Sequence, residues 1–167
     1  MKYPNFDEEK KLWKRGMECV AGLDEAGRGP LAGPVTAAAV IFLAQGGPAT
    51  GWGKINDSKL LSEKRREELY EILTNHFGIK WGVGVVSEKI IDKINILQAT
   101  KLAMQKALRQ AQGKLKREAD FLLIDGNFSI NSKIFQKSII KGDQKVVSIS
   151  AASIIAKVTR DRIMQKY

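Results

Sequence analysis

The chain has 167 residues, of which 44% are hydrophobic and 28% charged, a composition typical of one globular domain with a sizeable core. Its 28 Lys and Arg residues exceed its 18 Asp and Glu residues, and the net charge of +10 favours a polyanionic partner, either nucleic acid or an acidic membrane surface. One cysteine excludes an internal disulfide, and no apolar run is long enough to span a membrane. Because the charged N-terminus also has no apolar signal core, the cytoplasm is the expected compartment.

The first elements surround a polar segment. Residues 1–17 form a charged lead-in, in which one or two helical turns are expected over 7–15. Two apolar runs follow, one from Cys19 and one over 35–42, and their Val, Ile and Ala content is typical of buried strands. Between them stand two acids and a tight glycine-rich turn: Asp24, Glu25 and Gly27-Arg28-Gly29-Pro30.

The two acids make this segment a candidate site for a metal or a basic partner. Acids at the end of a buried strand are costly to desolvate unless positive charge meets them. Successive strand residues point to opposite faces, so Asp24 and Glu25 share a ligand only where the strand ends or twists sharply. Gly27 and Gly29 permit such an exit, and Pro30 restricts the backbone next to it. The alternative is an ordinary hairpin turn with two solvated acids.

Helices and strands alternate in the rest of the chain. Residues 45–53 are expected to form a loop because of their composition. A helix over 62–77 follows, with Ser62 as N-cap and with Leu69, Ile72, Leu73 and Phe77 on one face. The further predicted elements are a strand over 79–86, helices over 87–94 and 95–111, a basic connection over 113–117, strands over 121–125 and 138–140, and a helix from about residue 150 to the end. This order predicts one α/β domain over residues 1–167, with a mixed central sheet flanked by helices.

Two further acids share the context of Asp24 and Glu25. Asp125 ends an apolar strand, and Asp143 follows a short strand within Lys141-Gly142-Asp143. Strand ends on one edge of an α/β sheet converge, and carboxylates gathered there repel one another unless cations intervene. All-oxygen ligation suits Mg²⁺ or Mn²⁺, and on a basic protein it suggests two-metal phosphoryl transfer. Taken singly, Asp125 also fits a plain turn and Asp143 a loop cap.

Residues 22–31, GLDEAGRGPL, resemble the signature of ribonuclease HII, the type 2 ribonuclease H of bacteria. Further motifs of that family follow in order: Asn56-Asp57-Ser58-Lys59, Asn95-Ile96-Leu97, Ile124-Asp125-Gly126-Asn127, Lys141-Gly142-Asp143 and SAASIIAKVTRD over 150–161. The resemblance implies a ribonuclease H-like α/β fold and makes four acids the metal-binding catalytic carboxylates: Asp24, Glu25, Asp125 and Asp143. It also implies cleavage of the RNA strand of RNA–DNA hybrids and incision 5′ of single ribonucleotides in duplex DNA, leaving 3′-hydroxyl and 5′-phosphate ends.

Such an enzyme must detect a 2′-hydroxyl in a shallow minor groove. The backbone of Gly27, Arg28 and Gly29 is expected to do so, since glycine lets the main chain approach closely. The other expected substrate contacts are polar side chains that position a duplex without reading its sequence: Ser58, Lys59, Asn95, Ser150 and Ser153.

One departure from the family pattern concerns the C-terminus. Family members continue beyond the helix that ends here at Tyr167, with a His-Lys-Gly-Tyr motif, so we expect a C-terminally shortened protein that is weakened on single embedded ribonucleotides. Nothing in the sequence demands more than a monomer, which is the expected oligomeric state. Another carboxylate nuclease, such as a junction resolvase or an integrase-like enzyme, is disfavoured by the Gly27-Arg28-Gly29 turn. A nucleic-acid-binding domain with weak or no catalysis, and a basic protein with no nucleic-acid role, are the remaining alternatives.

Overall fold

The computed structural model describes residues 3–29, 32–44, 55 and 59–167. Within these residues the elements are, in chain order, α1 (Asp7–Lys14), β1 (Cys19–Ala26), β2 (Val35–Leu43), α2 (Glu63–Asn75), β3 (Ile79–Val86), α3 (Glu88–Ile94), α4 (Ile96–Leu115), β4 (Phe121–Asp125), β5 (Phe135–Ile139), a 3₁₀ turn (Gly142–Gln144) and α5 (Val147–Met164). The predicted loop over 45–53 lies outside the described residues. No helix among those described combines the length and the apolarity needed to cross a bilayer.

The five strands form one mixed sheet in the order β3-β2-β1-β4-β5. The β1–β2 and β2–β3 pairs are antiparallel, whereas the β1–β4 and β4–β5 pairs are parallel. Leu23 lies opposite Ile124 in the parallel β1–β4 pair, so both strands end at the same edge of the sheet. The α/β class and the mixed sheet predicted from the sequence are therefore confirmed.

Alternate residues of the central strands pack on opposite sides of the sheet. On one side, β2 buries Ala37, Ala39 and Ile41 in a core shared with α4. On the other side, its intervening residues Ala38, Val40 and Phe42 belong to a buried cluster with residues of α2 and α5. Both faces of the sheet are thus covered by helices, as an apolar sheet of this kind requires.

The two glycines of β3 let α4 lie directly on the sheet. A Cβ atom at Gly82 would lie 2.2 Å from the carbonyl oxygen of Ala107, and one at Gly84 would lie 2.0 Å from that of Ala103. Both distances are shorter than any tolerated contact, so the helix backbone occupies the space of the missing side chains. The small residues Ala103 and Ala107 complete this close approach from the side of the helix.

The predicted helix boundaries are corrected at α4 and α5. Helix α4 runs to Leu115 and includes Gly113, which the sequence had assigned to a basic connection. It ends because Lys116 adopts a left-handed conformation, with φ of 63°, and donates its N–H to the Gln112 carbonyl. Helix α5 begins at Val147, three residues earlier than predicted, and residues 147–156 are all buried. A helix enclosed in this way shows no clear apolar stripe in its sequence.

Two other predicted features are also corrected. Strand β5 covers Phe135–Ile139 rather than 138–140, because its pairing with β4 begins at Phe135 opposite Phe121. On α2, Leu69 and Leu73 are buried, but Ile72 is 50% exposed and Phe77, beyond the helix end, is 88% exposed. The predicted N-cap of α2 is confirmed, since the Ser62 side chain accepts the N–H of Arg65.

The N-terminal lead-in is packed onto the start of α5. It contains the short helix α1, close to the predicted turns, and Asn5 forms an isolated parallel bridge with Val146. Glu9 is fully buried, and its Oε1 accepts a 2.9 Å hydrogen bond from the backbone N–H of Ser148, in the first turn of α5. A carboxylate in this position complements the helix dipole, so the lead-in contributes the cap that α5 itself does not supply.

Candidate active site

Three acidic side chains meet at the sheet edge where β1 and β4 end. Asp24 and Glu25 are among the last three residues of β1, and Asp125 is the final residue of β4. One carboxylate oxygen from each of the three lies within 4.8 Å of the others. The structure therefore brings together residues that are about a hundred positions apart in the sequence, at the edge where the sequence predicted them.

Asp24 and Glu25 are adjacent and nevertheless contribute to one cluster. Asp24 is only 4% exposed, so the alternative of two solvated acids in a plain hairpin is wrong. Its Oδ1 accepts a 2.7 Å hydrogen bond from the backbone N–H of Glu25. Strand β1 ends one residue later at Ala26, and Gly27 follows with φ of +96°, a conformation that favours glycine.

Asp143 lies beside this cluster without completing it. It is buried in the 3₁₀ turn, and Oδ1 of Asp125 accepts the backbone N–H groups of Gly142 at 2.7 Å and of Asp143 at 3.4 Å. The three-acid cluster of the described residues, with its oxygens within 4.8 Å, does not include Asp143. The negative charge of Asp143 nevertheless acts on the cluster, since it contributes to the raised pKa of Asp24.

The electrostatics of the cluster favour a cation. Burial raises the pKa of Asp24 well above its usual range, and the charges of Asp125, Glu25 and Asp143 raise it further. Burial and the charge of Asp125 raise the pKa of Glu25 to about 7, although Arg28, whose Nη1 lies 3.8 Å from Glu25 Oε1, acts in the opposite direction. Glu25 Oε2 is buried and accepts no hydrogen bond from the described residues. Crowded carboxylate oxygens with an unsatisfied lone pair fit a hard divalent cation such as Mg²⁺ or Mn²⁺.

A cavity of about 430 Å³ opens in front of the acids. Its other lining residues include the turn after β1 and several polar or cationic side chains: Gly27, Arg28, Gly29, Lys59, Ser153, Lys157 and Arg160. The cavity thus joins an acidic floor to a cationic wall. Such a pairing accommodates a phosphodiester, whose charge would meet cations on the wall and any ion held by the acids.

The remaining predicted substrate contacts are placed differently. Ser58 lies outside the described residues. Ser150 is fully buried in α5 and does not line the cavity. Asn95, with φ of 68°, joins α3 to α4, and its Oδ1 accepts the N–H of Gln98 at 3.0 Å as an N-cap. The structure therefore gives Asn95 a capping role and does not bring it to the cavity wall.

Three residues of the site region were not predicted as site residues, although two of them, Lys157 and Arg160, belong to the motif quoted over 150–161. Lys157 and Arg160 line the cavity from α5, and Phe128 lies under the guanidinium of Arg28, whose Cζ is 5.5 Å from the ring centroid. The spacing of Ser153, Lys157 and Arg160 is the helical spacing that places side chains on one face. That spacing was a usable signal, whereas the contact of Phe128 with Arg28 depends on the sheet.

Comparison with known proteins places the chain among related sequences. A family model described as ribonuclease HII matches residues 21–167. A protein of Acetivibrio thermocellus named Ribonuclease HII is 54% identical over 158 residues, which are 95% of this chain and 58% of that protein. A protein of Desulfotalea psychrophila with the same name is 50% identical over 161 residues, 96% of this chain and 69% of that protein. The chain therefore spans less than two thirds of the first relative's length.

Solved structures share the fold. The ribonuclease H2 of Pyrococcus horikoshii OT3 superimposes with a TM-score of 0.70 and 28% identity, over 89% of this chain and 74% of that one. Bst-RNase HIII, solved in complex with Mn²⁺, superimposes with a TM-score of 0.72 over 90% of this chain and 54% of that one, and at 19% identity this likeness concerns the fold alone. The ribonuclease H-like fold expected from the sequence is therefore confirmed.

Proposed function

The chain belongs to the ribonuclease HII family, and on that premise we propose that it is a metal-dependent endoribonuclease. It cleaves the RNA strand of RNA–DNA hybrids and incises 5′ of single ribonucleotides in duplex DNA, leaving 3′-hydroxyl and 5′-phosphate ends. The observation that carries this proposal is the approach of Asp24, Glu25 and Asp125, whose carboxylate oxygens lie within 4.8 Å of one another in front of a cationic wall.

The proposed cofactor is Mg²⁺ or Mn²⁺, held by Asp24, Glu25 and Asp125 with Asp143 as a further carboxylate. Two observations support this assignment: Oε2 of Glu25 accepts no hydrogen bond from the described residues, and all the donor atoms of the cluster are oxygens. When bound, two such ions would lower the pKa of the attacking water and stabilise the departing O3′ oxygen. The acids supply the donor oxygens for such ions, and the hydrogen bond from the Gly142 N–H holds the Asp125 carboxylate in place.

The substrate would lie along the cationic wall of the cavity. Lys59 and Ser153 are suited to phosphate oxygens, and Arg28 stands at the mouth with 40% of its side chain exposed. Gly29 is exposed, and a Cβ atom there would meet none of the described residues within 4 Å. A duplex therefore has free access to this part of the backbone, which supports detection of a 2′-hydroxyl by the turn.

A second candidate is a nucleic-acid-binding domain with weak or no catalysis. The observation that favours it is the set of cationic side chains on the cavity wall, Arg28, Lys59 and Lys157, because such side chains bind phosphates without any chemical step. It predicts that the chain binds hybrid duplexes, with the salt dependence that phosphate contacts impose, and cuts them slowly or not at all.

A cleavage assay separates the two candidates. End-labelled duplexes with one ribonucleotide, with an all-RNA strand and with DNA only are incubated with Mg²⁺, Mn²⁺ or EDTA. We expect metal-dependent cutting of the first two alone, and an Asp24→Asn variant that binds without cutting. Binding without cutting by the unaltered chain would favour the second candidate, and equal cutting by Asp24→Asn would overturn the catalytic role of that carboxylate.

We propose further that the protein acts as a monomer in the cytoplasm. The buried thiol of Cys19, unpaired among the described residues, fits a reducing compartment. Size-exclusion chromatography with light scattering tests the first statement, and fractionation of cells that express the tagged protein tests the second.

A further inference from the structure

Arg160 is a buried cation in the wall of the candidate active site. Arg160 is only 6% exposed, and arginine is rarely so buried without a charged partner. Within the described residues it forms no ion pair with a carboxylate; instead, Nε donates to the Pro34 carbonyl at 3.0 Å and Nη2 to the Ala32 carbonyl at 2.9 Å. Both acceptors belong to the connection between β1 and β2, so the guanidinium is used to hold backbone.

The same guanidinium also contacts the other end of that connection. A Cβ atom at Gly27 would lie 2.2 Å from Arg160 Nε and 2.6 Å from the Pro34 carbonyl oxygen. A Cβ atom at Gly33 would lie 2.5 Å from Met164 Sδ and 3.3 Å from Arg160 Nη2, so Met164 fills most of the space there. The absent side chain at Gly27 makes the space that Arg160 fills, and the arginine thus contacts Gly27 while it donates to the Ala32 and Pro34 carbonyls.

We propose that Arg160 is a positioning residue that fixes the backbone of Gly27 against the cavity, and through Gly27 also the backbone of Arg28 and Gly29. By fixing this turn, Arg160 determines how well the protein distinguishes a ribonucleotide from a deoxyribonucleotide. This inference rests on the proposed function, since it assigns the sensing of the substrate to that turn. The inference goes beyond the proposed function because it assigns control of selectivity to a residue of α5, more than a hundred residues after the turn in the chain.

The geometry explains why arginine is required. Its planar fork donates to two carbonyls at once in fixed directions, whereas lysine offers a point charge without this geometry. Hydrogen bonds from a charged group are also stronger than neutral ones. Because Arg160 has no ion pair with Asp24, Glu25 or Asp125, its loss should leave the metal-binding acids in place and disturb the turn.

The test compares variants that differ in what they donate. Arg160→Gln removes the charge and the fork, and Arg160→Lys keeps the charge alone. Arg162→Gln is the matched control, because Arg162 lies two residues further on α5 and pairs with Glu67 and Glu71 of α2, away from the cavity. Thermal melting of each variant is recorded first, and Arg160→Lys carries the test where Arg160→Gln does not fold.

The main measurement is duplex binding by fluorescence anisotropy, with the affinity for a single-ribonucleotide duplex compared with that for the same all-DNA duplex. We expect this ratio to fall about tenfold in Arg160→Gln, which corresponds to about 1.4 kcal/mol, to fall less in Arg160→Lys, and to be unchanged in Arg162→Gln. Mn²⁺ affinity, from calorimetry on metal-free protein, should stay within about twofold, as the acids keep their contacts.

Two results would overturn the inference. One is an unchanged ratio in a folded Arg160 variant, and the other is a loss of Mn²⁺ affinity as large as the loss of discrimination, which would place the action of Arg160 at the acids. Because the ratio is a binding measurement, it remains decisive for Arg160 even where the unaltered chain cuts no substrate, the result that would count against the proposed nuclease.

Discussion

Oδ1 of Asp125 accepts the backbone N–H of Gly142 at 2.7 Å, and this bond links the end of β4 to the 3₁₀ turn that carries Asp143. One carboxylate oxygen therefore sets the separation of two acids that the chain places 18 residues apart. The same side chain contributes an oxygen to the cluster with Asp24 and Glu25. Asp125 thus combines a structural bond with a place in the candidate metal site, and substitutions can separate the two.

Asp125→Asn should preserve the fold and weaken metal binding. Asparagine keeps an Oδ1 acceptor for Gly142 but loses the charge, so we expect nearly unchanged thermal melting and at least about a tenfold loss of Mn²⁺ affinity by calorimetry. Asp125→Ala also leaves the Gly142 N–H without its acceptor and should cost a further 1–3 kcal/mol or so of folding stability. Equal melting temperatures for the two variants would show that the bond contributes little.

The metal-free protein should contain a glutamate that titrates near neutrality. The pKa of Glu25 is raised to about 7 by burial and by Asp125, and Arg28 opposes the rise. Carboxyl ¹³C NMR titration should therefore find a lower pKa for Glu25 in Asp125→Asn and a higher one in Arg28→Gln. A pKa near the ordinary value of 4.5 in the unaltered protein would contradict the described burial.

The same shift makes the stability of the metal-free protein depend on pH. The folded-state pKa of Glu25 is raised above its unfolded value of 4.5, so the native state binds more protons between these two values. The contribution of Glu25 to stability should fall as pH rises from about 4.5 to about 7 and should be lost above that range. The raised pKa of Asp24 acts in the same direction. Urea unfolding at a series of pH values checks this, and Glu25→Gln should flatten the dependence over the same interval.

Gly29→Ala isolates the role of the backbone in substrate binding. The added Cβ would meet no atom within 4 Å in the part of the chain that the structure describes, so melting and Mn²⁺ affinity should be unchanged. If a duplex approaches the turn closely, the methyl group will weaken binding of a single-ribonucleotide duplex, by about 1 kcal/mol or more. Unchanged binding would show that the duplex does not contact Gly29. Gly27→Ala is unsuitable for this test, because its φ of +96° and its contact with Arg160 would disturb the fold.

Gly84→Ala and Gly113→Ala should change stability in opposite directions. At Gly84 the new Cβ would lie 2.0 Å from the Ala103 carbonyl and force α4 away from β3, at a cost of about 1–3 kcal/mol or more. Gly113 lies in α4 with open space around it, so alanine should stabilise the helix by roughly 0.5–1 kcal/mol. Denaturant unfolding of both variants measures the difference, and a loss of stability in Gly113→Ala would contradict this account.

Local patterns were sufficient to predict most of the elements that hold the acids. The apolar run that ends in Asp125 has the bounds predicted for β4, and β3 also matches its prediction. These strands were recognisable because they are short apolar runs bounded by turn residues. The convergence of Asp24 and Asp125 was predicted from the position of both acids at the ends of apolar strands. The parallel pairing of β1 with β4, which brings the two acids together, was not predicted and is seen in the structure.

Features that depend on distant contacts could not be predicted in this way. Glu9 belongs to a charged amphipathic segment, and nothing local shows that it is buried against Ser148. Arg160 likewise belongs to a helix with mixed polarity. Its hydrogen-bond acceptors are backbone carbonyls, which every residue has, so no side chain in the sequence identifies them. In both cases a charged residue is buried because tertiary structure supplies a partner from another part of the chain.

The bridge between Asn5 and Val146 has a consequence for synthesis in the cell. Asn5 must wait until Val146, about 140 residues later in the chain, has been translated before this bridge can form. The antiparallel strands β1 to β3 can pair early, while the opposite edge of β1 stays uncovered until β4 is translated. Nascent chains of this protein are therefore expected to need protection of that edge, and the docking of the N-terminal lead-in beside Val146 is expected to be a late step of folding.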